Sequence, residues 1–216
     1  MTPLNALLQG ESFLTLTLEN PQGLKPESMD HGTYQVDLID TGALIISPKE
    51  SSATKSLVLS CAIHGNETAP IEICDALIQN IISGCLELKI PTLFLFGNPQ
   101  AMLSGNRFQD FNLNRLFNHQ YKDEEPCYET RRAELLETYM AEFFNRFDAP
   151  EKLHYDLHTA IKPSAHERFA IYPYTPEKEK DFAQMHFLKQ MGIQAILYSH
   201  SETTTFSYHS AKNHNA

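Results

Sequence analysis

The apolar run from Leu57 to Ile63 ends abruptly in His64-Gly65-Asn66-Glu67, and Pro70 then opens a helix-like pattern. A run of this kind fits a strand covered on both faces, which points to a parallel strand inside an α/β sheet. The same feature carries chemistry. A buried strand delivers an imidazole and a carboxylate into the turn at its carboxyl end, and both donors suit Zn²⁺. Three-residue spacing in a tight turn lets His64 and Glu67 point at one centre. A third donor stands at a second strand end, in Leu153-His154-Tyr155-Asp156-Leu157-His158-Thr159. Two His and one Glu make a catalytic-type set, because they leave a coordination position open.

The rest of the chain alternates strand and helix patterns. Phe13 to Leu18 alternates apolar and Thr residues and reads as a half-buried strand, and Asn20 to Asp30 as a loop. Tyr34 to Asp40 and Ala43 to Ser47 read as strands joined in a hairpin by Asp40-Thr41-Gly42. Helix-spaced apolar residues run from Cys74 to Ile82 and stop near Gly84. Thr92 to Phe96 is a buried strand closed by Gly97-Asn98-Pro99, and Arg132 to Phe147 has a strong helical period. Leu153 to Leu157, Arg168 to Tyr172 and Ile193 to Tyr198 read as strands, and Glu177 to Met191 as a helix capped by Gly192. Alternation of this kind implies an α/β fold with a mixed, mostly parallel sheet flanked by helices, preceded by antiparallel strands.

Length and charge narrow the function. The 216 residues fit one domain, with 42% hydrophobic residues, enough to bury a core. The net charge is −10 and no Lys/Arg-rich block is present, which argues against a nucleic-acid partner. No apolar run reaches membrane-spanning length, so no membrane partner is expected. The four Cys form no C-x-x-C pair, which suits a reducing cytosol, and Cys61 and Cys74 read as small buried hydrophobes. The expected location is cytoplasmic. Oligomeric state is left open.

A second chemical signal lies in Gly105 to Phe117, which carries Arg107, Asn112, Asn114 and Arg115 just after a strand end. Sites in α/β sheets gather at the carboxyl ends of strands. Guanidinium groups there can pair with a substrate carboxylate or stabilise an oxyanion. Asp156 and His158 are two apart on one strand, so they share a face. Asp156 is therefore placed to orient a metal-bound imidazole. His166 and Arg168 could line the pocket, although a plain loop role for His166 is favoured.

Together, His64-Gly65-Asn66-Glu67, Gly97-Asn98-Pro99, Arg107 with Asn114-Arg115, and Asp156-Leu157-His158-Thr159-Ala160 resemble the succinylglutamate desuccinylase/aspartoacylase family, zinc hydrolases of the carboxypeptidase-like superfamily. The resemblance covers essentially the whole chain and lies nearest the desuccinylase branch. It implies hydrolysis of N-succinyl-L-glutamate to succinate and L-glutamate, the last step of arginine breakdown by the succinyl route. It implies one Zn²⁺ held by His64, Glu67 and His158. Arg107 would polarise the scissile carbonyl, Asn114 and Arg115 would grip a substrate carboxylate, and Lys212 stands where relatives meet another carboxylate.

Two departures stand out. Asn112 replaces an Asp found in some relatives. The family's general base, a Glu in a Glu-Leu-Gly strand, has no counterpart before Ala216, and Glu202 does not occupy its position. Residues 1–216 are therefore expected to form an N-terminal zinc-hydrolase domain, with the base and a β-rich part lying beyond it. The rival expectations are an aspartoacylase-like deacylase of another N-acyl amino acid, a zinc carboxypeptidase, and a catalytically silent metal-binding fragment.

Overall fold

A computed structural model of the chain describes residues 1–50, 54–160, 165–176 and 181–216. Two short helices, α1 (Pro3–Leu8) and α2 (Phe13–Glu19), precede three strands, β1 (Glu27–His31), β2 (Tyr34–Asp40) and β3 (Ala43–Pro48). Then follow β4 (Lys55–Cys61), α3 (Thr68–Ile82), β5 (Thr92–Phe96), α4 (Pro99–Ser104) and α5 (Tyr128–Arg146). The chain continues through β6 (Glu151–Asp156), β7 (Phe169–Tyr172), α6 (Phe182–Gln190), β8 (Ala195–Tyr198) and α7 (Phe206–Asn213).

Six strands form one sheet in the order β1-β2-β3-β5-β4-β6, and β7 and β8 pair as a small parallel sheet. The expected α/β architecture and mixed sheet are present. The balance within the main sheet differs from the expectation: β1–β2, β2–β3 and β3–β5 are antiparallel, whereas only β4–β5 and β4–β6 are parallel. The hairpin strands do not stand apart as a flank. They join the parallel set directly, through β3 on β5.

Strand alternation sorts the core into two layers. Leu44, Ile46, Phe94 and Phe96 face α1, α2 and α3 together with Leu4, Phe13, Cys74 and Ile78. Ala43, Ile45, Leu93 and Leu95 face α5 and α7, where Leu136, Met140, Phe143, Phe144 and Phe206 cover them. Every residue of β5 is buried, as its apolar run requires. Gly42 closes the β2–β3 turn at φ +66°, and a Cβ there would meet the Phe96 carbonyl oxygen at 2.6 Å.

Phe13 to Glu19 is a helix rather than the expected strand. The Ser12 hydroxyl caps it by accepting from the Thr15 amide, and Phe13, Leu16 and Thr17 form its buried face. Thr17 hides its hydroxyl by donating to the Phe13 carbonyl at 2.8 Å, so the alternating Thr residues do not signal a polar sheet face. The stretch read as a loop holds β1 at its end. The helix expected from Glu177 begins, within the described residues, at Phe182, and residues 177–180 lie outside them. Cys61 and Cys74 are buried and all four cysteines are free. Among the described residues no helix is long and apolar enough to cross a membrane.

Candidate metal centre

The chain passes from β4 into its turn through Ala62, whose φ of +56° is unusual for a residue with a side chain. That bend turns the strand end away from the sheet and aims His64 into the space above the carboxyl ends of β4 and β6. Gly65 is required here, because a Cβ would come within 2.1 Å of the Ala101 backbone. Its amide donates to the Arg107 carbonyl at 3.2 Å and so fastens the Arg107 loop to the turn. Glu67 holds the N-cap position of α3, yet its side chain caps nothing there. An N-cap side chain commonly contributes about 1 kcal/mol. Glu67 forgoes that role and serves the site.

The Glu67 carboxylate is 5% exposed and gathers four donors or ring nitrogens. Its Oε1 lies 2.9 Å from His64 Nδ1 and accepts from Arg107 Nη1 at 2.9 Å. Its Oε2 lies 2.9 Å from His158 Nδ1 and accepts the Thr159 amide at 2.9 Å. One donor atom from each of His64, Glu67 and His158 lies within 4.8 Å of the others. The far nitrogen of each ring is also fixed. His64 Nε2 sits 3.0 Å from Asn112 Oδ1, and His158 Nε2 sits 2.9 Å from Asp156 Oδ2.

These contacts test the site for a metal. Amide and carboxylate oxygens accept only, so both rings carry hydrogen on Nε2. Both Nδ1 lone pairs then face the oxygens of an ionised carboxylate. Lone pair against lone pair is repulsive unless a cation, a proton or a metal ion, lies between them. Burial alone would raise the Glu67 carboxyl, but hydrogen bonds from His158, His64 and Thr159 hold it well below the usual carboxylate range. Burial alone would lower His158, but Asp156 and then Glu67 push it up to about 10. Glu67 is thus ionised and holds a proton against the His158 ring, a place that a metal ion could take, and two imidazoles with one carboxylate fit Zn²⁺.

The other expected residues divide. Arg107, with its side chain 29% exposed, joins the cluster through Glu67. Asp156 lies behind His158, with Oδ2 2.9 Å from His158 Nε2 and its side chain 4% exposed. Asn114 commits its Oδ1 to the Phe206 amide at the start of α7, at 3.0 Å. Exposed Arg115 donates Nη1 to the Asn114 carbonyl at 2.8 Å. Lys212 pairs with Glu202 at 3.1 Å and lies over the Tyr208 ring, with no contact to the cluster. The Arg168 guanidinium packs at Gly192, on the β7–β8 side. His166 is likewise not part of the cluster.

Some residues escaped the sequence reading. The sequence assigns Asn112 no role beyond replacing an Asp of some relatives, whereas it contacts His64 and accepts the Asn114 amide at 3.1 Å. Glu129 is fully buried and accepts from the Gln109 amide at 2.7 Å, the Asp110 amide at 3.3 Å and Asn98 Nδ2 at 3.2 Å. It clamps the loop between Arg107 and Asn112. A carboxylate in the first turn of α5 gave no sequence signal for that role, because its partners are two backbone amides and an Asn side chain 19 to 31 residues away.

A mixed sheet with this donor set at its strand ends defines the zinc carboxypeptidase-like class of folds. Residues 53–216 match the succinylglutamate desuccinylase/aspartoacylase catalytic domain, and the chain belongs to that family. It is 48% identical to the succinylglutamate desuccinylase of Shewanella piezotolerans over 97% of this chain. That match spans 62% of the relative's own length. The crystal structure of the Vibrio parahaemolyticus succinylglutamate desuccinylase superposes with a TM-score of 0.87 at 35% identity, over 95% of this chain and 70% of that one. The Chromobacterium violaceum enzyme of the same name gives a TM-score of 0.87 at 37% identity, over 95% and 63%.

Proposed function

We propose that this chain carries the metal-binding part of a cytoplasmic enzyme that hydrolyses N-succinyl-L-glutamate to succinate and L-glutamate, the last step of arginine breakdown by the succinyl route. The convergence of His64, His158 and Arg107 on the buried Glu67 carboxylate supports the reading most directly. Relatives of that name at 48% identity support the substrate. Zinc held by His64, Glu67 and His158 would supply Lewis acidity and lower the pKa of a water.

The chain's own residues supply the rest. Asp156 and Asn112 hold the two rings in the tautomer that offers Nδ1. Arg107 presents a guanidinium beside the cluster, where an amide carbonyl would gain negative charge during attack. Arg115 and the amide end of Asn114 stand on the same loop and are suited to a substrate carboxylate. Lys212 would reach a second carboxylate only after leaving Glu202.

No free base stands out among these groups. Both oxygens of Glu67 and of Asp156 are engaged, and Glu202 is paired with Lys212. The family resemblance puts the proton acceptor on a Glu-Leu-Gly strand, which has no counterpart in residues 1–216. A general base contributes about 10²–10⁴-fold, so residues 1–216 alone should turn over that much more slowly than a longer relative. The test is a zinc-loaded assay on N-succinylglutamate and N-acetylaspartate side by side, for this chain and for the chain extended by a relative's remaining sequence. Preference for N-acetylaspartate would favour the aspartoacylase reading. Full turnover by residues 1–216 would place the base within them.

A further inference from the structure

Behind Asp156 lies a line of polar side chains, Ser60, His154 and Ser210. Ser60 on β4 donates its hydroxyl to Asp156 Oδ1 at 2.6 Å, and its oxygen sits 2.8 Å from His154 Nε2. His154 Nδ1 lies 2.7 Å from the Ser210 hydroxyl on α7. The sheet places these groups together: Ser60 is in register with Asp156 across β4 and β6, and Asp156 is two residues from His154 on one face.

The hydrogens can be assigned. Asp156 is an acceptor only, and the single Ser60 proton goes to it. The Ser60 oxygen must then accept from His154, so Nε2 carries hydrogen. Burial pushes His154 down to about 4, so the ring is neutral and its Nδ1 is a lone pair facing the Ser210 hydroxyl, whose single proton also faces the Ser207 carbonyl oxygen at 2.9 Å. From His154 through Ser60 the donors point toward Asp156, whose other oxygen holds His158 Nε2.

We infer that His154, Ser60 and Asp156 form a one-way hydrogen-bond line, anchored on α7 at Ser210, that fixes His158 for metal binding, with His154 as its positioning residue. The inference rests on the metal reading of the site but not on the substrate. Asp156 needs a donor on its outer oxygen to keep the carboxylate from rotating off His158. Ser60 can give its proton there only while His154 supplies one to the Ser60 oxygen.

The competing role for His154 is purely structural, tying β6 to α7, where its ring meets Phe206 edge-on at 4.8 Å. Two amides separate the roles. His154→Gln can place an N–H near the Nε2 position and serve Ser60. His154→Asn matches the Nδ1 position and keeps only the Ser210 contact. Zn²⁺ affinity is measured by chelator competition and the ligand field by the visible spectrum of the Co²⁺ form, with near-UV circular dichroism to establish folding. Loss of a group that orients a metal ligand typically costs about 10–100-fold in affinity. The expected result is about tenfold weaker zinc binding and an altered Co²⁺ spectrum for His154→Asn and Ser60→Ala, with His154→Gln near wild type. The reverse order, with Asn rescuing and Gln failing, overturns the inference. So does a folded Ser60→Ala of unchanged affinity, which decides the matter if a His154 variant does not fold. A wild-type chain that binds neither ion overturns the metal reading, and this inference with it.

Discussion

His64 and His158 present Nδ1 to the same carboxylate, but their Nε2 partners differ in charge. Asp156 is a carboxylate, whereas Asn112 is a neutral amide. A charged acceptor makes the metal-facing nitrogen more basic. Asn112→Asp should therefore tighten zinc binding by about tenfold, read by competition with a chelator. Weaker binding by a folded variant would mean that Asn112 acts mainly on Asn114, whose amide it also accepts. Arg107 offers a second test at this scale. Lys keeps the charge but loses the planar fork that contacts Glu67 while facing the site. In the chain extended to an active length, Arg107→Lys should lower kcat by about 10²-fold with a smaller change in KM. An unchanged kcat would remove Arg107 from the chemistry.

At the scale of elements, α5 and α7 are joined by an acid. Glu137 on α5 is buried; its Oε1 lies 3.2 Å from His209 Nδ1 of α7 and accepts the His119 amide at 3.2 Å. Burial by itself raises this carboxyl, but the hydrogen bond and charge of His209, together with His119, outweigh it and leave it below its ordinary value. A lowered folded value means added stability above the unfolded-state value. That stability is lost as pH falls through about 4.3 toward the lower folded value. Glu137→Gln should cost about 1–3 kcal/mol at neutral pH and flatten this acid limb in urea titrations. Equal acid slopes for the two proteins would count against the clamp. The turn between β4 and α3 is stricter still. Gly65→Ala would drive a Cβ into the Ala101 and Met102 backbone, at 2.1 and 2.3 Å. It should cost about 3 kcal/mol in denaturant midpoint measurements, at the upper end of overpacking penalties.

For the molecule as a whole, a metal ion held by the cluster would couple to folding. His64 comes from the β4–α3 turn and Glu67 from the cap of α3, while His158 follows β6, about ninety residues later. An unfolded chain does not hold these donors together, so an ion bound there stabilises only the folded form. At a free concentration about 1,000 times its dissociation constant, the gain is about 4 kcal/mol. Zinc should thus raise the thermal midpoint and a chelator should reverse the rise. A Glu67→Gln chain should lose most of the shift, because Glu67 is the hub between the two rings. A shift of equal size in Glu67→Gln would place the ion elsewhere.

The sequence by itself determined the parts that depend on local pattern. The β4 run, the Asp40-Thr41-Gly42 hairpin, the apolar stripes of α3 and α5 and the three residues of the candidate metal cluster were legible, because periodicity and spacing are properties of neighbours in the chain. Tertiary structure decided what neighbours cannot. The segment from Phe13 became a helix, because Ser12 caps it and a core waits for Phe13 and Leu16. The antiparallel half of the sheet came from β3 docking on β5, a pairing between segments far apart in sequence. Asn112 on His64, Glu129 on its loop and the line from Ser210 to Asp156 are all contacts between distant residues. Their partners are carbonyls, hydroxyls and backbone amides, which occur everywhere along a chain and become specific only when folding brings them within hydrogen-bond distance.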